Sequence, residues 1–193
     1  MLAQAADTAA RQGLATLTIG DLAARTQLSK SGLFAHFQSK EALQLAVLAY
    51  ARDRFTEEVL RPAIRTPRGE PRVRALFDQW LALSEYSNAS CLFISASAEF
   101  DDQPGPVRDQ LVRDHRDYTE SIMQVFRTGV SEGHFRPDAD PGQFSFDLHG
   151  IILSFFHAHR LLGDAQAGER ARRSFETILA AARVPAPHPA LPA

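Results

Sequence analysis

Residues 18–37 read TIGDLAARTQLSKSGLFAHF, and the order of caps, small residues and apolar residues in this stretch decides the fold. Thr18 followed three residues later by Asp21 is a capping-box variant, so a helix is predicted to begin there and to run to about Thr26. Gln27, Leu28 and Ser29 form a short connection, and Ser29 caps a second helix beginning at Lys30. Ile19, Leu22, Ala23, Leu28, Leu33 and Phe37 are the apolar residues expected to close these two crossed helices on a first helix, Met1 to Gln12, that ends near Gly13. This is helix-turn-helix spacing.

The side of the second helix left exposed by that arrangement carries Lys30, Ser31, Gly32, Phe34 and His36. A helix entering a major groove needs short side chains that let its backbone approach the bases, and donors that reach base edges or phosphates. Ser39, Lys40 and Glu41 start the next helix, whose free N-terminal amides are a natural phosphate seat to which Lys40 adds a full charge. Lys30 and Lys40 are the only lysines in the chain, every other fixed positive charge being arginine. They bracket one short helix. Read without DNA, they are two solvated surface lysines, His36 packs at the core edge on Phe37, and Phe34 is a core residue.

Outward from this stretch the pattern is all helix, with apolar residues recurring at three and four rather than two. Leu43, Val47, Tyr50, Ala51, Phe55 and Val59 form a stripe expected to stop where Arg61 meets Pro62. The segment 65–71, RTPRGEP, is a loop. Val73, Leu76, Phe77, Trp80, Leu81 and Ser84 mark another helix, and 87–100 a short one with small residues. After the break at 101–106, Val107, Leu111, Tyr118, Ile122, Phe126 and Val130 keep helical spacing up to Gly133. Residues 143–162 are apolar over more of their circumference than one face requires and must be covered on two sides. A last helix carries Ala171, Phe175, Ile178, Leu179 and Ala182. The layout is about nine helices: a head at 1–45, a larger body at 46–183, and a Pro-rich tail at 184–193 expected to be disordered.

Bulk properties narrow the classes. A chain 45% hydrophobic and 23% charged is folded and globular rather than disordered. Its net charge of −2 argues against indiscriminate coating of nucleic acid, so any DNA contact must come from a placed motif. One cysteine, Cys91, excludes an internal disulfide framework and reads as a small buried hydrophobe. No leader and no membrane-length apolar run is seen, so a cytoplasmic protein is expected.

Residues 1 to about 50, above all TIGDLAARTQLSKSGLFAHFQSKEALQLAVL at 18–48, closely resemble the N-terminal DNA-binding domain of the TetR family of transcriptional repressors. The resemblance implies a three-helix DNA-binding head and an all-helical body that binds a ligand and dimerises. It implies that Lys30, Gly32 and His36 face bases, that Ser31, Phe34 and Lys40 touch the phosphate backbone, and that Thr18 belongs to the same DNA-binding set. Phe34 stands where the family often has tyrosine, and Gly20 where an arginine or another polar residue is common, so two phosphate contacts are missing. The family's basic arm before the first helix is also missing, and a trimmed start is one reading of that.

In the body, Trp80, Phe93, Phe100, Tyr118, Met123, Phe126, His149 and Phe156 would surround a cavity in this layout, suited to an apolar or aromatic effector; ordinary packing is the alternative for each. Leu148, Ile152, Phe155, His159, Phe175, Ile178 and Leu179 are the candidates for a symmetric four-helix interface with a second copy, or for the interior of a monomer. His157 and His159, two apart, point roughly 200° apart on a helix and cannot share a metal. No metal site and no cofactor is expected. Enzyme motifs are absent: no G-x-S-x-G, no phosphate-cradling glycine loop, no C-x-x-C and no H-E-x-x-H. The expectation is a DNA-binding regulator that is not an enzyme, acting as a homodimer on a palindromic operator in double-stranded DNA, released by a small effector, with no membrane partner. The alternative is a helical small-molecule carrier or adaptor whose head does not bind DNA.

Overall fold

The second, third and fourth helices each begin at a hydroxyl. In a computed structural model that describes residues 1–86 and 91–185, Thr18 Oγ1 accepts the Asp21 N–H at 3.1 Å and donates to the Asp21 carboxylate at 2.6 Å. Ser29 Oγ accepts the Gly32 N–H at 3.1 Å, and Ser39 Oγ the Ala42 N–H at 3.0 Å. Each cap is worth about 1 kcal/mol. They set the starts of α2 (Ile19–Thr26), α3 (Lys30–Phe37) and α4 (Lys40–Phe55), which follow α1 (Leu2–Gln12).

The chain continues through a π turn (Thr56–Leu60), α5 (Arg61–Arg65), α6 (Glu70–Tyr86), α7 (Cys91–Phe100), α8 (Pro106–Ser131), α9 (Pro141–Phe156), a second π turn (His157–Leu161) and α10 (Ala167–Ala182). Counted as continuous rods, the described residues form nine helices and no strand, with one isolated bridge between Phe135 and Arg183. The expected all-α class holds. Residues 87–90, the tail from 186 onward, and the side chains of Ser84 and Cys91 lie outside what the structure describes.

Pro62 does not stop its helix as the sequence pattern predicts. A proline ring presses on the carbonyl one turn earlier and leaves that carbonyl without a donor. Here the turn just ahead is widened, with the Arg61 N–H reaching back to Thr56 O. The chain passes Pro62 and stays helical to Arg65.

The chain forms two compact units: Met1–Arg65 with Ala75–Glu120, and Thr66–Arg74 with Ser121–Ala193. In the first, Ala5, Ala6, Ala9 and Ala10 of α1 are buried, and these small side chains let α1 lie close against α4 and α7. Leu22, Leu33, Phe37, Leu43, Val47, Leu92 and Phe93 complete a single core there. Leu28, expected inside it, is 48% exposed. The chain turns through a left-handed residue at Gln27 (φ 57°), which lifts the connection away from the core.

In the second unit Phe126 stacks on Phe135 at 4.6 Å and on Phe144 at 4.4 Å. Glu70 lies between Arg74 and Arg183, and Arg74 in turn pairs with Glu176, so that the start of α6 is tied to α10 and to the residue that follows it. Arg183 first, and Arg74 second, hold the Glu70 carboxyl down at about 2.

Candidate functional site

One side of α3 is exposed along its whole length. Lys30, Ser31, Gly32, Phe34 and His36 are all exposed on α3, while Leu33 and Phe37 on its other side are buried. Phe34 is 47% exposed, so it is not a core residue. His36 stands edge-on to Phe37 with ring centres 4.6 Å apart. A side chain at position 32 would meet Ser29 Oγ at 2.9 Å, so Gly32 lets the cap and a close backbone approach coexist on this face. Thr18 is half-buried, its hydroxyl engaged in capping α2.

Lys40 opens α4 beside Ser39, and neither Lys30 nor Lys40 forms an ion pair among the described residues. A Cβ at Gly20 would meet only Thr18 Oγ1 at 3.7 Å and Lys30 Cε at 3.9 Å, so there is room for a side chain at this position. The face therefore carries two available cations, small polar side chains and one exposed ring. Such a surface suits phosphates and base edges. Among the described residues no group of His, Cys, Asp and Glu is arranged to hold a metal.

The head is fixed to the rest of the first unit through the turn after α1. The Glu99 carboxylate accepts the N–H of Ala15 at 2.7 Å and of Leu14 at 3.2 Å, and Gln44 Nε2 of α4 donates to Leu14 O at 2.9 Å. Gly13, at φ 95°, brings the chain so near that a side chain would meet Glu99 at 3.1 Å. Sequence reading did not single out Glu99 or Gln44. Their partners are 84 and 30 residues away, and neither residue belongs to a local motif.

The aromatic candidates divide between the units. Trp80, Phe93, Phe100 and Tyr118 lie in the first, where Phe55 meets Tyr118 at 4.6 Å and Trp80 at 5.5 Å, and Phe93 meets Tyr118 at 5.2 Å. Met123, Phe126, His149 and Phe156 lie in the second; Phe126 is part of the stack described above, and the Arg160 guanidinium sits 5.6 Å over Phe156. Beside Tyr118 stand polar groups that sequence reading missed. Ser97 Oγ lies 2.7 Å from His115 Nε2, and Asp114 is 1% exposed. Burial lowers the pKa of His115 and pushes that of the Tyr118 phenol well above its ordinary value.

The residues expected at a partner surface are placed otherwise. Leu148, Ile152, Phe155, Phe175 and Leu179 are buried within the single chain, where they seat α9 against α10, so they are not free for a second copy. Ile178 is half-buried and His159 exposed, its ring stacked on Phe155 at 5.2 Å. What α9 leaves outside is Phe146, 76% exposed, with Gly150 and Leu153 on the same side. A groove of about 580 Å³ runs there, lined by Phe146, Gly150, Ile151 and Ser154 from α9 and by Arg170, Ser174 and Ile178 from α10. No helix among the described residues is long and apolar enough to cross a membrane.

Comparison with known proteins agrees with this arrangement. The family description "Bacterial regulatory proteins, tetR family" matches residues 1–47, and "Tetracyclin repressor-like, C-terminal domain" matches residues 69–175. A TetR transcriptional regulator from Chloroflexus aurantiacus J-10-FL is similar in fold, with a TM-score of 0.81 and 25% identity over 93% of this chain and 90% of that one. A TetR family regulator from Cytophaga hutchinsonii gives 0.82 and 17% identity over 96% and 94%. AibR, solved in complex with isovaleryl coenzyme A and operator DNA, gives 0.69 and 24% identity over 88% and 92%. No curated protein matches the chain. With both its three-helix head and the greater part of its body matched, this chain belongs to the TetR family of bacterial transcriptional regulators.

Proposed function

We propose that the protein is a homodimeric, ligand-responsive repressor, in which residues 1–45 bind DNA, residues 46–183 bind effector and partner, and 184–193 form a tail. Its α3 enters the major groove, with Lys30, Gly32 and His36 toward bases. Ser31, Phe34, Lys40 and Thr18 lie along the backbone. The observation that carries this reading is the exposure of one whole side of α3, flanked by two lysines without ion pairs.

Two copies related by a two-fold axis read a palindrome whose half-sites lie roughly 34 Å, one helical turn, or a multiple of it apart. The Phe146, Gly150 and Leu153 side of α9, with the adjoining groove, is the surface offered to the second copy. A small, mostly apolar or aromatic effector in the body lowers operator affinity, and operator lowers effector affinity by the same factor. The protein acts in the cytoplasm, as an operator-bound regulator must. AibR, which carries this fold, is found with both an acyl coenzyme A and operator DNA, and this supports a dual DNA and ligand role.

The test is an electrophoretic shift with DNA from upstream of the protein's own gene, at several salt concentrations. Sequence-selective, salt-dependent retention that is lost in the Lys30→Ala, His36→Ala double variant is the expected result. Retention unaffected by that double change would favour a carrier or adaptor with an idle head.

A further inference from the structure

Two buried polar atoms one helical turn apart on α8 have no hydrogen-bond partner: Asp114 Oδ2 and Tyr118 OH. Both belong to the first unit. The other oxygen of Asp114 is well held. It accepts from Gln110 Nε2 at 2.9 Å and faces the Arg52 guanidinium at 3.4 Å. The carboxylate is thus positioned, with one acceptor left over in a place where an unmet acceptor is costly.

The neighbourhood of these atoms is aromatic. Phe55 and Phe93 approach the Tyr118 ring at 4.6 and 5.2 Å, and Trp80 stands behind Phe55. Ring faces attract cations and do not attract anions. Arg52 is shared with Asp53, which lies 3.8 Å from its Nε, so two carboxylates face one guanidinium. Arg52, itself partly exposed, therefore does not serve Asp114 alone. A carboxylate can only accept, whereas a phenol both donates and accepts, and an ammonium group has three donors.

From this juxtaposition, and resting on the reading of the body as an effector site, we propose that the effector is a lipophilic amine. It binds as its cation with the nitrogen between Asp114 and Tyr118 and its apolar part against Phe55, Phe93 and Trp80. An acyl thioester or a free carboxylic acid would bring negative charge or bare acceptors to Asp114 and is disfavoured. The site also touches the DNA-binding apparatus. Arg52 and Phe55 lie at the far end of α4, which begins at Lys40 about 18 Å away at 1.5 Å per residue. An amine that draws on Asp114 acts on the helix that seats the phosphate.

The experiment is calorimetric titration of the full chain with phenyl- and naphthyl-alkylamines and, for each, the matching alcohol and carboxylate. Amines binding at least tenfold tighter than their alcohols and carboxylates are expected. Asp114→Asn should abolish that preference. Tyr118→Phe should weaken amine binding several-fold without lowering the melting temperature, because it removes a hydroxyl that has no partner in the free protein; this keeps the test valid if the Asp114 variant does not fold. The proposal is overturned if alcohols or carboxylates bind as well as amines, if neither variant alters amine binding, or if no amine binds and the two atoms are met by water alone. Selection of an operator by the same preparation is measured separately, so an effector of another class is distinguished from failure of the repressor reading.

Discussion

Glu99 and Ala15 are joined by a 2.7 Å hydrogen bond from a backbone N–H to a carboxylate, with Leu14 donating to the other oxygen. Glu99 lies on α7, whose Phe93 and Ser97 contact Tyr118 and His115. One helix therefore touches the aromatic interior with one part of its surface and holds the turn before α2 with another.

Glu99→Ala removes the acceptor for two partly buried N–H groups. The expected loss of stability is about 1–3 kcal/mol, read as a lower urea midpoint. Operator affinity should fall with it, because the turn that sets the entry to α2 is released. Glu99→Gln, which keeps one carbonyl oxygen, should lose less. Equal stability of wild type and Glu99→Ala would show that water replaces the clamp.

The two lysines have different predicted roles. Lys30→Ala should relax base preference at one position of each half-site by about 1–3 kcal/mol, whereas Lys40→Ala should weaken all sequences alike and reduce the salt slope by about one. Binding isotherms at several salt concentrations, against operator and scrambled DNA, separate the two. The same effect of both on specificity contradicts the assignment.

Phe34 and Gly20 are places where the head can be improved. Phe34 is 47% exposed, so Phe34→Tyr adds a phosphate donor without burying a hydroxyl. Position 20 has room for a side chain, and Gly20→Arg adds a charge there. Each should tighten operator binding at low salt, with the arginine also steepening the salt dependence by about one ion. Weaker binding by both variants would place the DNA elsewhere.

On α9 the two faces should respond in opposite ways. Phe146→Asp alters an exposed residue and is expected to yield a folded monomer by sedimentation. Leu148→Ala, at a residue 0% exposed inside the chain, should instead cost about 2–5 kcal/mol of stability. A dimer that survives Phe146→Asp unchanged would remove this face from the interface.

Glu70 gives a pH dependence whose sign is fixed. Its folded-state pKa of about 2 lies below the ordinary 4.5, so its contribution is fully present above about 4.5 and is lost as pH falls toward 2. Unfolding free energy of wild type should therefore drop more steeply across that window than that of Glu70→Gln. The difference is on the order of 1–3 kcal/mol, since the group is partly screened. Parallel curves for the two proteins would mean that Glu70 is not held by Arg183 and Arg74.

The head was legible because its signals are local. Thr18, Ser29 and Ser39 each bond an amide three residues on, and such a bond can be read from spacing alone. Pro62 was misread because the π turn that accommodates it leaves no composition signal. Leu28 was misplaced because the left-handed turn at Gln27 is invisible in hydropathy. The body is less legible. A helix apolar on most sides, as 143–162 is, does not say which side meets its own chain, so the sequence leaves both a partner surface and a monomer interior open for Leu148 and Ile152, which are buried, and gives no sign that Phe146 is exposed. Asp114, His115 and Ser97 are ordinary surface residues by type, and only their burial against Phe93 and Tyr118 marks them.

Operator recognition is best tested by selection from random double-stranded DNA with the purified chain, at about 0.1 M salt so that nonspecific phosphate attraction is partly suppressed. Enrichment of one palindrome with two equal half-sites is expected, lost in Lys30→Ala, His36→Ala protein that remains folded and dimeric. A folded, dimeric wild-type protein that enriches no sequence, with or without amine present, would contradict it.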